Sequence, residues 1–158
     1  MENNTITTYD SVKDAMEHKA NIESVMNTII DELVLRKINH DNSKLQSPEK
    51  EGYDKFIPKL KETPYGTPEY NKVREEMMST CLAHHYEVNR HHPEHFENGI
   101  EDFTIVDLVE YFCDTYAASL KSDTPYSKGL EINAKKHKLP DVLVKIFANT
   151  VEEYGINK

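Results

Sequence analysis

Residues 84–96 read His84-His85-Tyr86-Glu87-Val88-Asn89-Arg90-His91-His92-Pro93-Glu94-His95-Phe96, and the rest of the sequence is interpreted from this stretch. It holds five of the eight histidines of the chain, as two adjacent pairs and a single residue. Neutral imidazole is the commonest metal ligand in proteins and the usual proton carrier near neutral pH. The stretch indicates a metal site whose other ligands come from elsewhere in the chain. The alternative interpretation is a solvated helix end in which the histidines have no function.

Composition and length predict one globular domain. The chain has 158 residues, of which 37% are hydrophobic and 30% charged, as in ordinary soluble domains. We expect a single domain over residues 1–158 with its core between about 11 and 151. No apolar run is long enough to span a bilayer, no signal peptide is recognisable, and Cys81 and Cys113 lie in apolar helical patterns. These features favour a cytoplasmic protein without disulfides.

The charge balance limits the partners of the protein. A net charge of −9 disfavours general binding to nucleic acid, which requires clustered Lys and Arg. A small phosphorylated substrate remains compatible with this charge, because bound cations can invert the local field. The chain has only five glycines and no Gly-rich phosphate loop, which disfavours a P-loop or dinucleotide-binding fold.

Periodicity and start signals predict an all-α fold of about six helices. No segment alternates with the period of a strand. Helix starts are expected at Ser11, Ser47-Pro48, Thr67-Pro68, Thr104, Thr124-Pro125 and Leu139-Pro140. In the first helix the apolar positions share one face, which we expect to be buried: Ala15, Ile22, Val25, Met26, Ile29 and Leu33. The third helix is expected to continue to about Asn89, with Val88 on its core side.

Two further sets of candidate ligands precede the histidine-rich stretch. His18 lies on the apolar stripe of the first helix, where a histidine is more often a hydrogen-bonded core residue than a ligand. His40 and Asp41 are adjacent, so on a regular backbone their side chains diverge. They can converge on one ion only at a special turn; the alternative is an ordinary helix-ending turn in which Asp41 caps the next segment.

Acidic residues of the fourth expected helix, which starts at Thr104, supply the last candidates. Asp114 has small and apolar neighbours in sequence, so its ionised carboxylate would be costly unless it were paired or bound to a metal. Glu110 lies on the same face one turn earlier. For these acids the alternative is a solvated helix face, which for Glu110 is an equally good interpretation.

In this order the motifs resemble those of the HD-domain superfamily of metal-dependent phosphohydrolases. The shared elements are a first-helix His, an adjacent His-Asp pair and a distal Asp; His40-Asp41-Asn42-Ser43-Lys44 also matches the H-D-x-x-K form of the superfamily. Residues 113–119 are similar to the distal-Asp segment of HD-GYP phosphodiesterases, although the glycine-rich segment of that group is missing. The joint pattern H-D-x-S-K-L, H-H-x-x-x-N-x-H-H and distal Asp resembles an uncharacterised family of bacteria and their phages.

The superfamily resemblance implies a fold, a cofactor and a reaction. It implies an HD-like helical bundle around a pocket in which the principal ion is bound by His18, His40, Asp41 and Asp114. It further implies hydrolysis of a phosphoester by metal-activated water, with a nucleotide or related small phosphate compound as the expected substrate. Histidine and carboxylate ligands suit Mn, Co, Ni, Fe, Zn or Mg, and we expect one or two ions per chain.

Further side chains are assigned roles around that ion. His85 and His92 are the first choices for a second ion or for the phosphate, with His84 and His91 as the alternative members of each pair. Lys44 and Arg90 are expected phosphate clamps. Asn89 is expected to hold a ligand histidine or the substrate. Asp41, Lys44 and Glu49 are the expected catalytic residues, Glu49 by orienting a ligand or acting as a base, though it also suits an ordinary helix start.

Two other classes of function fit the same residues. HD-type scaffolds also carry di-iron oxygenases, whose ligand set is similar. A non-catalytic accessory protein that binds a metal or a nucleotide is the second alternative. The resemblance is also compatible with a homodimer, since helical proteins of this superfamily often pair through outer helices.

Overall fold

The computed structural model describes residues 9–64, 67–121 and 125–155, and all regular structure in these ranges is helical. The α-helices are α1 (Ser11–Asn39), α2 (Glu49–Glu62), α3 (Pro68–Met77), α4 (Ala83–Val88), α5 (Ile105–Ser119), α6 (Tyr126–His137) and α7 (Asp141–Tyr154). A π-helical turn, Met78–Leu82, joins α3 to α4, so the described chain forms six helical rods. The prediction of an all-α fold with about six helices is confirmed. The predicted start at Thr124 lies outside the described residues.

Side-chain caps begin three of these helices. Asp10 caps α1 by accepting from the backbone N–H groups of Val12 and Lys13, one residue before the predicted start, because its carboxylate reaches both orphan donors. At α5 the hydroxyl of Thr104 accepts from the N–H of Asp107 while the Asp107 carboxylate accepts from the N–H of Thr104. The helix start expected at Thr104 is therefore present, and it carries a capping box. The Thr67 hydroxyl caps α3.

Two apolar clusters make the core. One joins α5, α6 and α7 through Tyr111, Phe112, Leu130, Leu139 and Phe147. The other joins α2, α3 and the π turn through Phe56, Met77, Cys81 and Leu82. Buried charged and polar side chains stand apart from both clusters: Glu49, His85, His91, Asp107 and Glu110. They lie on α2, α4, α5 and the loop between α4 and α5.

Helix α1 departs from the sequence prediction. None of its residues is buried, and the predicted inner face is exposed along most of its length, with 61% of Val25 and 55% of Met26 accessible. The reason is a mismatch in length: α1 has 29 residues and α5 has 15, or about 43 Å against 22 Å. Leu33, Arg36, Lys37 and His40 line a groove together with α5 residues. Periodicity identified the apolar side of α1 but not whether this chain covers it.

The π turn and Gly52 position α4 against α2. A π turn places an extra residue in one helical turn, so the buried face changes after it: His85 is buried, whereas Val88, expected in the core, is about half exposed. A Cβ on Gly52 would lie 2.3 Å from the Cβ of Cys81. Only glycine allows α2 to approach this turn so closely, and Glu49, one turn before Gly52, thereby reaches the histidines of α4. No described helix is both long and apolar enough to cross a membrane.

Candidate metal centre

The end of α1 brings His40 and Asp41 together. Asp41 adopts a left-handed backbone conformation with φ of 58°, which Asp tolerates better than most residues. This is the special turn that convergence requires, and it places His40 Nε2 3.5 Å from Asp41 Oδ2. The short 3₁₀ turn that follows brings Lys44 back toward Asp41, so that Lys44 Nζ lies 2.5 Å from the same oxygen.

Histidines of the 84–96 stretch complete a group around Asp41. The Nε2 atoms of His85 and His91 lie 3.5 Å and 3.6 Å from Asp41 Oδ1, and His92 Nε2 lies 2.8 Å from His85 Nε2. Asp41, His85, His91 and His92 thus form a four-residue group whose candidate ligand atoms all lie within 4.8 Å of one another. His40, His91 and Asp114 form a second, three-residue group by the same measure.

The spacing of these atoms fits a bound ion. At a bond length of about 2.1 Å, neighbouring ligand atoms are roughly 3.0 Å apart in an octahedral site and roughly 3.4 Å apart in a tetrahedral one. The separations around Asp41 Oδ1 are 3.5 Å and 3.6 Å. Asp41 Oδ1 and His91 Nε2 are buried and have no hydrogen-bond partner among the described residues. A cation between them would satisfy both orphaned atoms.

Two buried glutamates aim the histidine rings at this point. Glu110 Oε1 lies 2.9 Å from His40 Nδ1 and 3.3 Å from His91 Nδ1. Glu49 Oε2 lies 2.8 Å from His85 Nδ1, and its Oε1 lies 2.7 Å from His84 Nδ1. A carboxylate that accepts the Nδ1–H leaves the Nε2 lone pair free for a metal. The glutamates therefore turn the Nε2 atoms of His40, His85 and His91 toward Asp41.

The pKa shifts in the site favour neutral imidazoles at His85 and His92 and a protonated imidazole at His40. Burial lowers the pKa of His85, and so does the charge of Lys44. Burial, together with His91 and His85, also lowers the pKa of His92, so both rings are neutral near pH 7, as ligation requires. Hydrogen bonds to Asp114 and Glu110 raise the pKa of His40 to about 10. An ion bound at His40 would have to displace that proton.

The expected ligand His18 is not part of either group. It is exposed on α1, 22 residues before His40, a distance of about 33 Å along a helix. The structure therefore does not bring His18 together with His40, Asp41 and Asp114, the other expected ligands. Because α1 is a single uninterrupted helix of 29 residues, His18 cannot reach the site at its end within the same chain.

Of the other candidate residues, some lie in the two groups and others hold the members of those groups in place. His85 and His92 join Asp41 as expected, and His91, expected as a substrate ligand, lies in both groups. His84 is outside both and bonds Glu49. Asn89 Nδ2 donates to the backbone oxygen of His85 and to Ser43 Oγ, so it holds the segment that carries a ligand histidine.

Arg90 does not act as the expected phosphate clamp. Its Nε and Nη2 donate to the two oxygens of Asp107 at 3.1 Å and 2.9 Å, and its guanidinium stacks on Phe96. Arg36 Nη2 donates to the same carboxylate and Arg36 Nη1 to Glu110 Oε2. Nε and Nη2 of Arg90 are thus both used in an ion pair with Asp107 and are not free to bind a phosphate.

Glu110, which faces His40 and His91, and Arg36, which pairs with Glu110, support the site and were undervalued from the sequence. Glu110 is 9% exposed, so its interpretation as part of a solvated face is wrong. The available signal was the joint pattern: Asp107, Glu110 and Asp114 share a face of α5, and Arg36 lies one turn before His40 on α1. Opposite charges on two helix faces predict that those faces meet.

Two cavities open beside the groups. The smaller, of about 150 Å³, is lined by His85 and His92 together with Lys44, Arg74, Tyr53 and Tyr86. The larger, of about 380 Å³, is lined by His40, Glu110 and Asp114, by Arg36 and Lys37, and by the apolar side chains Leu33, Val109, Cys113 and Ala117. Each cavity therefore has two basic side chains, but Arg36 in the larger one is already paired with Asp107 and Glu110.

Residues 7–153 match the model of a family of unknown function, DUF5662. The chain belongs to this family. No curated protein and no solved structure matches the chain significantly. Since the DUF5662 family has no assigned function, the function has to be argued from the geometry of the site.

Proposed function

We propose that this DUF5662 protein is a metal-dependent phosphohydrolase that cleaves a phosphoester in a small compound, with nucleotides as the first substrate class to test. The observation that carries the proposal is the group Asp41, His85, His91 and His92, whose buried Asp41 Oδ1 and His91 Nε2 have no hydrogen-bond partner among the described residues. Buried polar atoms are normally paired, so two orphans pointing at one another indicate a cation site.

The four-residue group is the proposed position of the principal ion. His91 has one free ring nitrogen, because its Nδ1 faces Glu110, so it can serve one ion at a time. A second ion at His40 and Asp114 would then need a further ligand such as Asp41, water or substrate. A divalent ion held here would lower the pKa of a coordinated water and polarise a phosphoryl oxygen.

Lys44 and Arg74 are proposed to bind the anionic part of the substrate. Lys44 reaches Asp41 on one side and lies 5.2 Å from the ring centre of Tyr53 on the other. Arg74 Nη2 donates to the hydroxyl of Tyr86, a neutral partner that leaves the guanidinium charge available. Two cations facing one cavity beside the histidines provide the charge that a phosphoryl group requires.

The cavity sizes restrict how a substrate fits. Liquid water takes about 30 Å³ per molecule, so the cavity of about 150 Å³ accommodates a phosphoryl group and little more. A nucleotide would have to place its base and sugar outside this cavity. The groove of about 380 Å³ beside His40 and Asp114 has the volume of a small-ligand site and is proposed to receive the organic part.

The sequence resemblance supports the same reaction. His40-Asp41-Asn42-Ser43-Lys44 has the H-D-x-x-K form of the HD-domain superfamily, and Asp114 occupies the distal position. The first-helix histidine departs from that pattern, since His18 lies far from the site. The histidines of the 84–96 stretch would replace it as ligands, so the support comes from the remaining motifs.

A reconstitution screen tests the proposal. The protein is stripped with a chelator and loaded separately with Mn, Co, Ni, Fe, Zn or Mg, and phosphate release is measured from nucleotides and small phosphomonoesters and diesters. With the best metal, Lys44→Met is expected to raise KM about tenfold through the lost anion contact. Lys50→Met is the matched control, because Lys50 pairs with Asp54 on the outer side of α2.

Three outcomes would contradict the proposal. Phosphate release that Asp41→Asn leaves intact would remove the site assignment. Tight nucleotide binding without turnover under any metal would favour a non-catalytic binding protein. Iron-dependent O₂ consumption without phosphate release would favour an oxygenase.

A further inference from the structure

The N-terminal two-thirds of α1, residues 11–30, form an arm that the described residues leave uncovered. The arm is about 30 Å long by helix geometry. All hydrogen bonds and ion pairs of residues 9–31 in the described chain stay within α1 and its cap. The links from α1 to α5 come from its C-terminal end, where Arg36 and His40 reach Asp107 and Glu110.

One line of side chains along the arm repeats with the spacing of a helix–helix seam. The intervals are four, three, four, three and four residues, and the positions are Val12, Met16, Lys19, Glu23, Met26 and Ile30. A 4–3 repeat keeps side chains on one face of a helix and is the pattern that pairs two helices side by side. The four apolar members are each about half to two-thirds exposed, at 67%, 68%, 55% and 49% in chain order. A shallow hollow runs along Lys19, Glu23, Met26 and Ile30.

This seam is complementary to itself in the antiparallel direction. When two copies of the arm are related by a two-fold axis at residue 21, position i faces position 42 − i of the other copy. Val12 then faces Ile30, Met16 faces Met26, and Lys19 faces Glu23, and each pair occurs twice. A two-fold interface requires this reciprocity. In a parallel pair Lys19 would instead face Lys19 and Glu23 would face Glu23.

We infer that two copies of this chain associate through antiparallel pairing of residues 11–30 of α1, with reciprocal Lys19–Glu23 ion pairs at the centre of the interface. The charge of the arm supports a second copy as the occupant. Residues 11–30 contain Lys13 and Lys19 against Asp14, Glu17 and Glu23, a net charge of −1. Lys19 and Glu23 are the charged members of the seam, and in the antiparallel pair each faces its opposite, so no like charges meet along the seam.

The pairing also explains why α1 is longer than the body of the chain needs. The C-terminal third of α1 carries Arg36 and ends beside His40, and it packs on α5. In the described part of the chain the first two-thirds are exposed except at Ile29, and pairing would bury the seam while leaving the candidate metal centre of each copy in place. The inference is independent of the proposed reaction.

A charge-reversal cycle tests the pairing in the full-length protein. Analytical ultracentrifugation is expected to show a dimer for the natural sequence. Lys19→Glu and Glu23→Lys are each expected to weaken dimerisation at least about tenfold, because each places like charges opposite one another. The double variant Lys19→Glu/Glu23→Lys restores opposite charges and is expected to restore the dimer. Circular dichroism of each variant checks that α1 stays helical.

Cysteine pairing provides a second readout that does not depend on charge. In a Cys113→Ser background, Met16→Cys/Met26→Cys is expected to form a covalent dimer on mild oxidation. Met16→Cys alone is the control: its two copies would be separated by ten residues, or about 15 Å, too far for a disulfide. A monomeric natural protein, a double charge variant no better than the single ones, or equal cross-linking of the single and double cysteine variants would each overturn the inference.

Discussion

Two groups of charged and polar side chains meet at α5, and they differ in whether their buried atoms have hydrogen-bond partners. Asp107 accepts from Arg36, Arg90 and Thr104, so both of its oxygens are paired. Asp41, at the end of α1, has Lys44 on one oxygen, while its other oxygen is buried without a hydrogen-bond partner among the described residues. Both carboxylates lie near arginine or histidine side chains, and only the second group is incomplete.

The difference separates a structural network from a binding site. A buried ion pair with every donor and acceptor used holds helices together and has no capacity for a ligand. A buried group with converging, unpaired nitrogen and oxygen atoms is unfavourable unless something fills it. The arginines therefore belong to the fold, and the histidines around Asp41 belong to the proposed chemistry.

The largest effect on stability is expected from breaking the satisfied group. Asp107→Asn would leave Arg36 and Arg90 without their buried anion and should lower the free energy of unfolding by about 3 kcal/mol. Urea denaturation measures this change. Asp102→Asn, at an exposed position, is the matched control. Loss of metal binding by folded Asp107→Asn protein would contradict the assignment of Asp107 to the fold and of Asp41 to the binding site.

A second expected effect is on metal affinity. Glu110→Gln should weaken metal binding by roughly 10- to 100-fold, since it removes the carboxylate that orients His40 and His91. Glu49→Gln should act similarly through His85. Calorimetric titration of chelator-treated protein measures both. Glu94→Gln, whose carboxylate pairs with Lys136 at the surface, should change nothing; affinities equal to the control would show that the buried glutamates do not orient ligands.

Acid should weaken the satisfied group in a defined range. Burial by itself would raise the pKa of Asp107, but hydrogen bonds from Arg90, Thr104 and Arg36 outweigh burial and lower the pKa from 3.8 to about 2. A group whose pKa is lower in the folded state stabilises the fold above its unfolded pKa. This contribution, roughly 2 kcal/mol, is present above about pH 4 and is lost as pH falls toward 2. Across this range, the free energy of unfolding should fall more steeply with decreasing pH in the natural protein than in Asp107→Asn.

The smallest effect is expected at His18. Because this residue is exposed and far along α1 from the site, His18→Ala should change stability by less than about 0.5 kcal/mol and leave metal affinity unaltered. The same calorimetric titration checks this. A large fall in metal affinity would return His18 to the ligand set and contradict the geometry.

Much of the fold follows from local signals in the sequence. The capping box at Thr104 and the Thr67-Pro68 start lie where the helices begin, because these signals satisfy the first backbone N–H groups locally. The π turn at Met78–Leu82 has no such signal, so the outward position of Val88 was not predictable. The exposed side of α1 was not predictable either, since burial depends on whether another helix reaches it.

The sequence predicted that these residues would cluster, but it predicted only part of the cluster's membership. His40, Asp41, His85, His92 and Asp114 are brought together as expected, because rare residue types in clusters are visible in sequence. Spacing alone could not show that His18 lies away from the other candidates or that Glu110 is buried. Spacing gives the face of a helix, whereas the groups opposite that face are set by how helices pack.

Metal titration of Asp41→Asn beside the natural protein tests the central claim most directly. Asn tolerates the left-handed conformation at this position, so the substitution removes one charge and keeps the turn. After chelator treatment, the natural protein is predicted to bind one or two divalent ions per chain, and Asp41→Asn to lose the principal ion while remaining folded. Absence of metal binding by the natural protein, or equal stoichiometry and affinity in both proteins, would contradict the account.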